Sequence, residues 1–215
     1  MEIIKLDNQN KIQALAQAEA TLRSGNIVII PTDTVYGIIA DASNKDTLKR
    51  IFELKKRPHE KAFSIFVKNI TMARWYAYVS DAKARFLETI WPGPFIVVFH
   101  HKEKLPHILT GANETIGIRI PNFHFLLDLL DRFDGPLVQT SANVSDLPPA
   151  KNISEVESYF KDRLTDKDLL IDDGDLVGES SSVIDFTRQQ PILLRTSLVS
   201  KDKLDTIFNS LQEFL

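Results

Sequence analysis

Lys55, Lys56, Arg57 and Lys61 put four cations within seven positions of a 215-residue chain whose formal net charge is −3. Such a cluster can clamp a polyphosphate, because Arg holds two oxygens in one plane and Lys adds a point charge. It can equally be a solvated face, since cations complement the carbonyl end of a helix. Pro58 follows Arg57, and the residue before a proline is driven out of the α region. A helix starting at Asn44 is therefore expected to end near Arg57, with the cations at its end and on the next turn. Residues 63–67 then read as a strand.

Three further segments carry groups that could complement a cationic clamp. Ile27-Val28-Ile29-Ile30 is a continuous apolar run, which suits a strand buried on both faces. It opens into Pro31-Thr32-Asp33-Thr34-Val35-Tyr36-Gly37, and ligands in α/β folds bind in loops at the carboxyl ends of strands. Thr115-Ile116-Gly117-Ile118-Arg119-Ile120-Pro121 alternates, so Thr115, Gly117 and Arg119 share one strand face. That face reads either as the wall of an anion site or as an edge strand with a solvent-facing Arg. A strand over 136–139 leads into Thr140-Ser141-Ala142-Asn143-Val144-Ser145, whose hydroxyls and amides can bind phosphate or satisfy their own turn. His100, His101 and His107 lack a carboxylate or fourth His at ligand spacing, and a structural or exposed role is expected for them.

The elements that must position these groups follow from periodicity. Ile12, Leu15, Ala16 and Leu22 are expected on one helical face, with Gly25 as its cap. Helices are expected over 70–78, 81–90 and 123–133, and strands over 95–99, 169–172, 182–186 and 192–195. Trp91-Pro92-Gly93-Pro94 interrupts the pattern, with Trp91 expected in the core. Ser154 and Glu157 form a capping box for a helix reaching about Arg163. Leu204, Ile207, Phe208 and Leu211 suggest a closing helix capped by Ser200. No linker divides the chain, so one α/β domain over 1–215 with a mixed sheet is expected. There is no cysteine, which excludes disulfides and zinc–thiolate sites. No run approaches the length of a membrane span and no signal peptide is read at the start, so a cytoplasmic protein without membrane contact is expected.

Taken together, these segments resemble the YrdC/TsaC family, the threonylcarbamoyl-AMP synthases of tRNA modification. The resemblance rests on the runs at 31–37, 55–58 with Lys61, 91–94, 117–121 and 140–145, on Ser181-Ser182-Val183-Ile184-Asp185, and on Arg195. It implies a twisted mixed sheet flanked by helices with a concave basic cleft. It also implies formation of threonylcarbamoyl-AMP and pyrophosphate from L-threonine, bicarbonate and ATP, with Mg²⁺. A transferase complex would then pass the threonylcarbamoyl group to tRNA position 37. The family's characteristic Lys, Arg, Ser and Asn correspond to Lys55, Arg57, Ser141 and Asn143, the catalytic candidates. Arg57, Lys61, Thr115, Ser141, Asn143 and Arg195 become candidates for ATP, and Thr34, Arg119, Thr140 and Ser181 for threonine. The resemblance supplies no metal ligand, and Asp33 is the one side chain considered for that role. A related group that lacks the Ser-Ala-Asn run keeps the basic segment, and the run at 141–143 favours the synthase. The chain departs from the pattern at Phe66, Ile96, Asp146, Asp175, Ser182 and Ser197.

No phosphate-binding G-x-x-x-x-G-K-[ST] motif is present, so an acyl-adenylate would have to be made by alignment and charge neutralisation alone. Two rival readings remain at this point. One is a YrdC-like protein that binds RNA without synthase activity, weak RNA contact being open in either case. The other is a carbamoyl-transfer role like that of the related domain in hydrogenase-maturation proteins, against which the absence of cysteine and the single-domain length argue.

Overall fold

The computed structural model describes residues 2–7, 9–111, 113–188 and 190–196. In chain order the elements are β1 (Glu2–Lys5), α1 (Lys11–Arg23), β2 (Val28–Ile30), β3 (Gly37–Asp41), α2 (Lys45–Lys55) and β4 (Ser64–Phe66). There follow α3 (Ile70–Tyr76), α4 (Asp81–Ile90), β5 (Phe95–His100), α5 (His107–Thr110), β6 (Thr115–Arg119) and α6 (His124–Phe133). The described part closes with β7 (Leu137–Ser141), α7 (Ile153–Phe160), β8 (Leu169–Asp172), β9 (Ser182–Asp185) and β10 (Ile192–Arg195). The ten strands form one mixed sheet in the order β1-β8-β2-β3-β7-β4-β6-β5-β9-β10.

Burial on both faces explains the continuous apolar run of β2. Val28 and Ile30 pack into one apolar cluster with α1 and α6, while Ile27 and Ile29 point into the other. The second cluster takes Leu48, Ile51 and Phe52 of α2, Phe86 and Leu87 of α4, and Val156 and Phe160 of α7. A strand alternates its side chains between faces, so a doubly covered strand has no polar side.

Several local expectations are corrected. The buried stripe of α1 is Ala14, Leu15, Ala18 and Leu22, and Ile12 is largely exposed. The true stripe is out of phase with the expected one, because two alanines face the core and a β-branched residue faces solvent. Ser24 caps this helix and Gly25 follows it at φ 73°. The cap of α7 is Asn152, which accepts from the Glu155 N–H, while the Glu155 carboxylate accepts from the Lys151 N–H. This reciprocal box starts two residues before the one expected at Ser154 and Glu157. β1, β3 and α5 are additions to the expected elements. Trp91 is buried and its indole N–H donates to the Phe95 carbonyl at 2.8 Å. Ser197 and the helix expected after Ser200 lie outside the described residues.

The basic run sits as the proline predicts. Asn44 caps α2 by accepting from the N–H groups of Asp46 and Thr47. Lys56 ends the helix in the left-handed region at φ 50°, and the chain turns through Pro58 into β4. β6 lies inside the sheet between β4 and β5, so Arg119 is not on an edge strand.

Candidate active site

Strand pairing gathers the polar segments around one cavity of about 370 Å³. Gly37 at the start of β3 lies opposite Ser141 at the end of β7, so the 31–36 loop and the 141–145 turn meet at the same end of adjacent strands. Phe95 lies opposite Ser182, which brings Ser181 beside the 91–94 turn. Gly117 lies between Ser64 of β4 and Val98 of β5. A Cβ at Gly117 would stand 2.9 Å from Ile96 Cγ2 and 3.0 Å from Ser64 Cβ, so only glycine keeps these two neighbours in place.

Eight of the sequence candidates line this cavity: Thr34, Arg57, Thr115, Arg119, Thr140, Ser141, Ser181 and Arg195. Lys55, Lys61 and Asn143 are not among its lining residues. Lys55 is 1% exposed, and its ammonium donates to the carbonyls of Ser141 and Asn143 and to Asn143 Oδ1, the last two at 2.7 and 3.0 Å. The same Oδ1 accepts from the Ser141 hydroxyl at 2.6 Å. The Asn143 amide N–H groups donate to the carbonyls of Val144 and Leu147 at 2.9 and 2.6 Å. The Lys55 carbonyl accepts from the Ser145 N–H at 2.8 Å. The end of α2 is thus tied to the 141–145 turn by main chain and side chain, and Lys55 and Asn143 hold Ser141 in place. Burial, then the nearby charge of Arg57, pushes the Lys55 ammonium down to about 7; its three oxygen partners resist that loss of a proton.

At another part of the cavity Arg119, also 1% exposed, joins four segments. Nε donates to the Gly93 carbonyl at 2.9 Å, Nη1 to the hydroxyls of Thr34 and Ser181, and Nη2 to the Asp33 carboxylate. Burial lowers its pKa and the Asp33 charge opposes the shift; a guanidinium stays charged in either case. Asp33, the side chain considered as a metal ligand, is therefore an ion-pair partner. Among the described residues no group of three or more His, Asp or Glu side chains is placed to hold a metal ion. The histidines at 100, 101 and 107 instead flank a separate surface concavity.

Arg57 is half-buried and held by its own loop: Nε donates to the Lys61 carbonyl at 2.9 Å and Nη2 to that of Ala62 at 2.7 Å. Its guanidinium carbon stands 5.1 Å from the centre of the Phe63 ring. Arg195 donates through Nε to the Ser181 carbonyl at 3.0 Å. Burial lowers the pKa of both arginines. Lys61 points outward, half-exposed, 3.6 Å from Asp146.

Sequence reasoning missed Ser64, Gln139 and Gly178, and took Thr32 only as part of the 31–37 run. Ser64 and Gln139 face the cavity from paired positions on β4 and β7, with Gln139 Nε2 donating to Ser64 Oγ at 2.6 Å. Their signal was a polar pair within otherwise apolar strands. A Cβ at Gly178 would fall 1.9 Å from the Thr34 carbonyl oxygen, so the backbone before Ser181 lies directly against the 31–36 loop.

A family model for the Sua5, YciO and YrdC proteins, described as telomere recombination, matches residues 20–197. The chain belongs to this Sua5/YciO/YrdC family. Within it, threonylcarbamoyl-AMP synthase of Pyrococcus abyssi is 30% identical over 197 residues, covering 91% of this chain and 57% of that protein. The Klebsiella pneumoniae protein of the same name is 30% identical over 160 residues, covering 73% and 84%. The mouse protein is 35% identical over 170 residues, covering 79% and 59%. This Sua5/YciO/YrdC chain therefore spans somewhat less than two thirds of the length of the archaeal and mouse relatives. A crystal structure of P. abyssi Sua5 complexed with L-threonine superposes with a TM-score of 0.88 at 29% identity, over 96% of this chain and 61% of that one. Escherichia coli YciO shares the fold at a TM-score of 0.81 and 22% identity, over 93% and 96%.

Proposed function

We propose that the chain is an L-threonylcarbamoyladenylate synthase, forming threonylcarbamoyl-AMP and pyrophosphate from L-threonine, bicarbonate and ATP. One observation carries this reading. A single cavity brings the arginines at 57 and 195 and the Ser141 hydroxyl together with the hydroxyls of Thr34, Thr140 and Ser181. Cations and a hydroxyl suit a nucleotide's phosphates, and the second group suits an amino acid. The names of the relatives agree with it, and they do not favour the reading of an RNA-binding protein without activity. The likeness to HypF, at 24% identity, is one of fold alone.

In this reading the threonine amine combines with bicarbonate, losing water, to give a carbamate anion. A carbamate oxygen forms a bond to the α-phosphorus of ATP while the bond to the bridging oxygen breaks and pyrophosphate leaves. The nucleophile is already an anion, so the protein supplies alignment and neutralises charge rather than removing a proton. Arg57 and Arg195 face the phosphates, joined by Lys61 from the rim, and together they would make the cleft basic. Ser141 donates to phosphate or ribose, its place fixed by Lys55 and Asn143. Thr115 lies on the ATP side. Thr34, Thr140 and Ser181 contact threonine; Arg119, occupied by protein acceptors, acts through Thr34 and Ser181. Mg²⁺ would arrive with ATP, held by phosphate oxygens and water. The product would pass to a tRNA-modifying transferase complex, in the cytoplasm, with weak RNA contact at most. No helix among the described residues is long and apolar enough to cross a membrane.

The test is pyrophosphate release by the purified protein with ATP, Mg²⁺, fresh bicarbonate and each amino acid in turn. Release should require both L-threonine and bicarbonate, mass spectrometry should detect the acyl-adenylate, and Arg57→Ala should abolish it. No release by protein that binds ATP would overturn the reading.

A further inference from the structure

Protons can be counted one by one at the Arg119 end of the cavity. A hydroxyl has one proton and two lone pairs. Thr32 gives its proton to the Val35 carbonyl at 2.7 Å and accepts from the Thr34 N–H at 3.1 Å. Its Oγ1 also lies 2.9 Å from Thr34 Oγ1. Thr32 has no second proton, so Thr34 is the donor in that contact. Thr34 in turn accepts from Arg119 Nη1 at 3.3 Å. What remains to Thr34 is one lone pair, on a side chain that is 3% exposed and lines the cavity. Ser181 accepts from the same nitrogen, and among the described residues no acceptor takes its proton, which leaves it to donate into the cavity it lines. The two hydroxyls look interchangeable in the sequence, yet one can only accept and the other can donate.

We propose that Thr32 is a positioning residue for amino-acid selection: it fixes Thr34 as an acceptor, so this part of the cavity favours a ligand carrying an O–H and rejects its methyl isostere. The inference rests on the threonine-activating reading above. The substrate amine is converted to a carbamate, which leaves the side-chain hydroxyl as the donor that the reaction does not alter. L-Valine has a methyl group at that place and would leave a buried lone pair without a partner, the situation that gives a site strong discrimination. The rest of the frame is held from two sides. Asp33 pairs with Nη2 of Arg119, and Gly178 sits against the Thr34 carbonyl.

Thr32→Val keeps the shape of the side chain and removes the acceptor to which Thr34 donates, so the Thr34 proton can turn into the cavity. The ratio of kcat/KM for L-threonine over O-methyl-L-threonine, whose ether oxygen can accept but has no proton to give, read by pyrophosphate release, should fall about tenfold or more. The KM for ATP should not change, and Thr32→Ser should restore the ratio. Where turnover is too low, calorimetric titration with each amino acid gives the same ratio. If Thr32→Val does not fold, Thr34→Val removes the acceptor itself and should abolish the preference. An active wild type whose variants keep the ratio, or lose affinity equally for both amino acids, overturns this inference alone. A wild type that does not turn over threonine overturns the synthase reading and this inference with it.

Discussion

Lys55 and Arg119 are both cations at 1% exposure, and they solve the problem of a buried charge in opposite ways. Arg119 has a counter-ion in Asp33, and it also donates to the Gly93 carbonyl and to two hydroxyls that it helps to order. Among the described residues Lys55 has only carbonyl-type oxygens, from Ser141 and Asn143, and a like charge, Arg57, nearby. The first arrangement is a permanent scaffold across the ordinary pH range. The second is organised by a proton that the protein can lose near neutrality. One wall of the cavity is therefore insensitive to pH, and the other is not.

The largest effect should come from breaking the scaffold. Arg119→Met leaves Asp33 largely buried without its partner, and losing one member of a buried pair costs about 3–5 kcal/mol. Urea denaturation should show that loss directly. Lys55→Met removes a buried charge that has no counter-ion, so its stability change should be much smaller. Its turnover should nevertheless fall about a hundredfold, because the Ser141–Asn143 turn loses the group that fixes it, and small misplacements cost about that much. Equal destabilisation by the two variants would break the comparison, since it would mean that the carbonyl oxygens compensate Lys55 as fully as a carboxylate does.

That contrast was not legible in the sequence. Lys55 and Lys61 belong to one basic run, and spacing alone cannot say that α2 ends so as to turn one inward and leave the other half-exposed. The alternation around Arg119 did carry its meaning: Thr115, Gly117 and Arg119 share the cavity face. What it could not show was that Asp33, 86 positions away, already holds the guanidinium. Both cases have the same cause, since hydrogen-bond partners come from strand order, not from neighbours in the chain. β3 escapes notice because its apolar stretch is short and lies between a polar loop and a helix cap. α1 is legible as a helix but not in its rotation, as alanines carry little periodic signal. Gly178 has no local signal at all; its need for a missing side chain exists only once the loop meets Thr34.

The proton on Lys55 gives a finer test. Unfolded, the group keeps its proton up to its ordinary value of 10.5; folded, only to about 7. Between those values the unfolded chain binds more protons, so this group's contribution to stability rises with pH. The slope should reach about 1.4 kcal/mol per pH unit at most. Below about 7 both states are protonated and the slope vanishes. The stability difference between wild type and Lys55→Met, followed from about pH 6 to 10, should show this rise. Turnover should move the other way, because a neutral amine has two N–H groups for three oxygens. A flat difference would mean that the oxygens hold the proton firmly, and that Lys55 resembles Arg119 after all.

The smallest effect concerns the outer lysine. Asp146 stands 3.6 Å from Lys61, and its backbone is left-handed at φ 67°. That conformation favours glycine, so the aspartate stands here against its backbone preference. Asp146→Gly removes an exposed ion pair worth about 0–1 kcal/mol and relieves about 1 kcal/mol of backbone strain. The two nearly cancel, so the melting temperature should hardly move. If Lys61 reaches the phosphates, freeing it from a carboxylate should lower the KM for ATP a few-fold at low ionic strength, and salt should erase the gain. Lys61→Ala should raise that KM by a similar factor and leave kcat unchanged. Were Lys61→Ala instead to reduce turnover as much as Lys55→Met, the division between an inner lysine that positions and an outer one that attracts would fail.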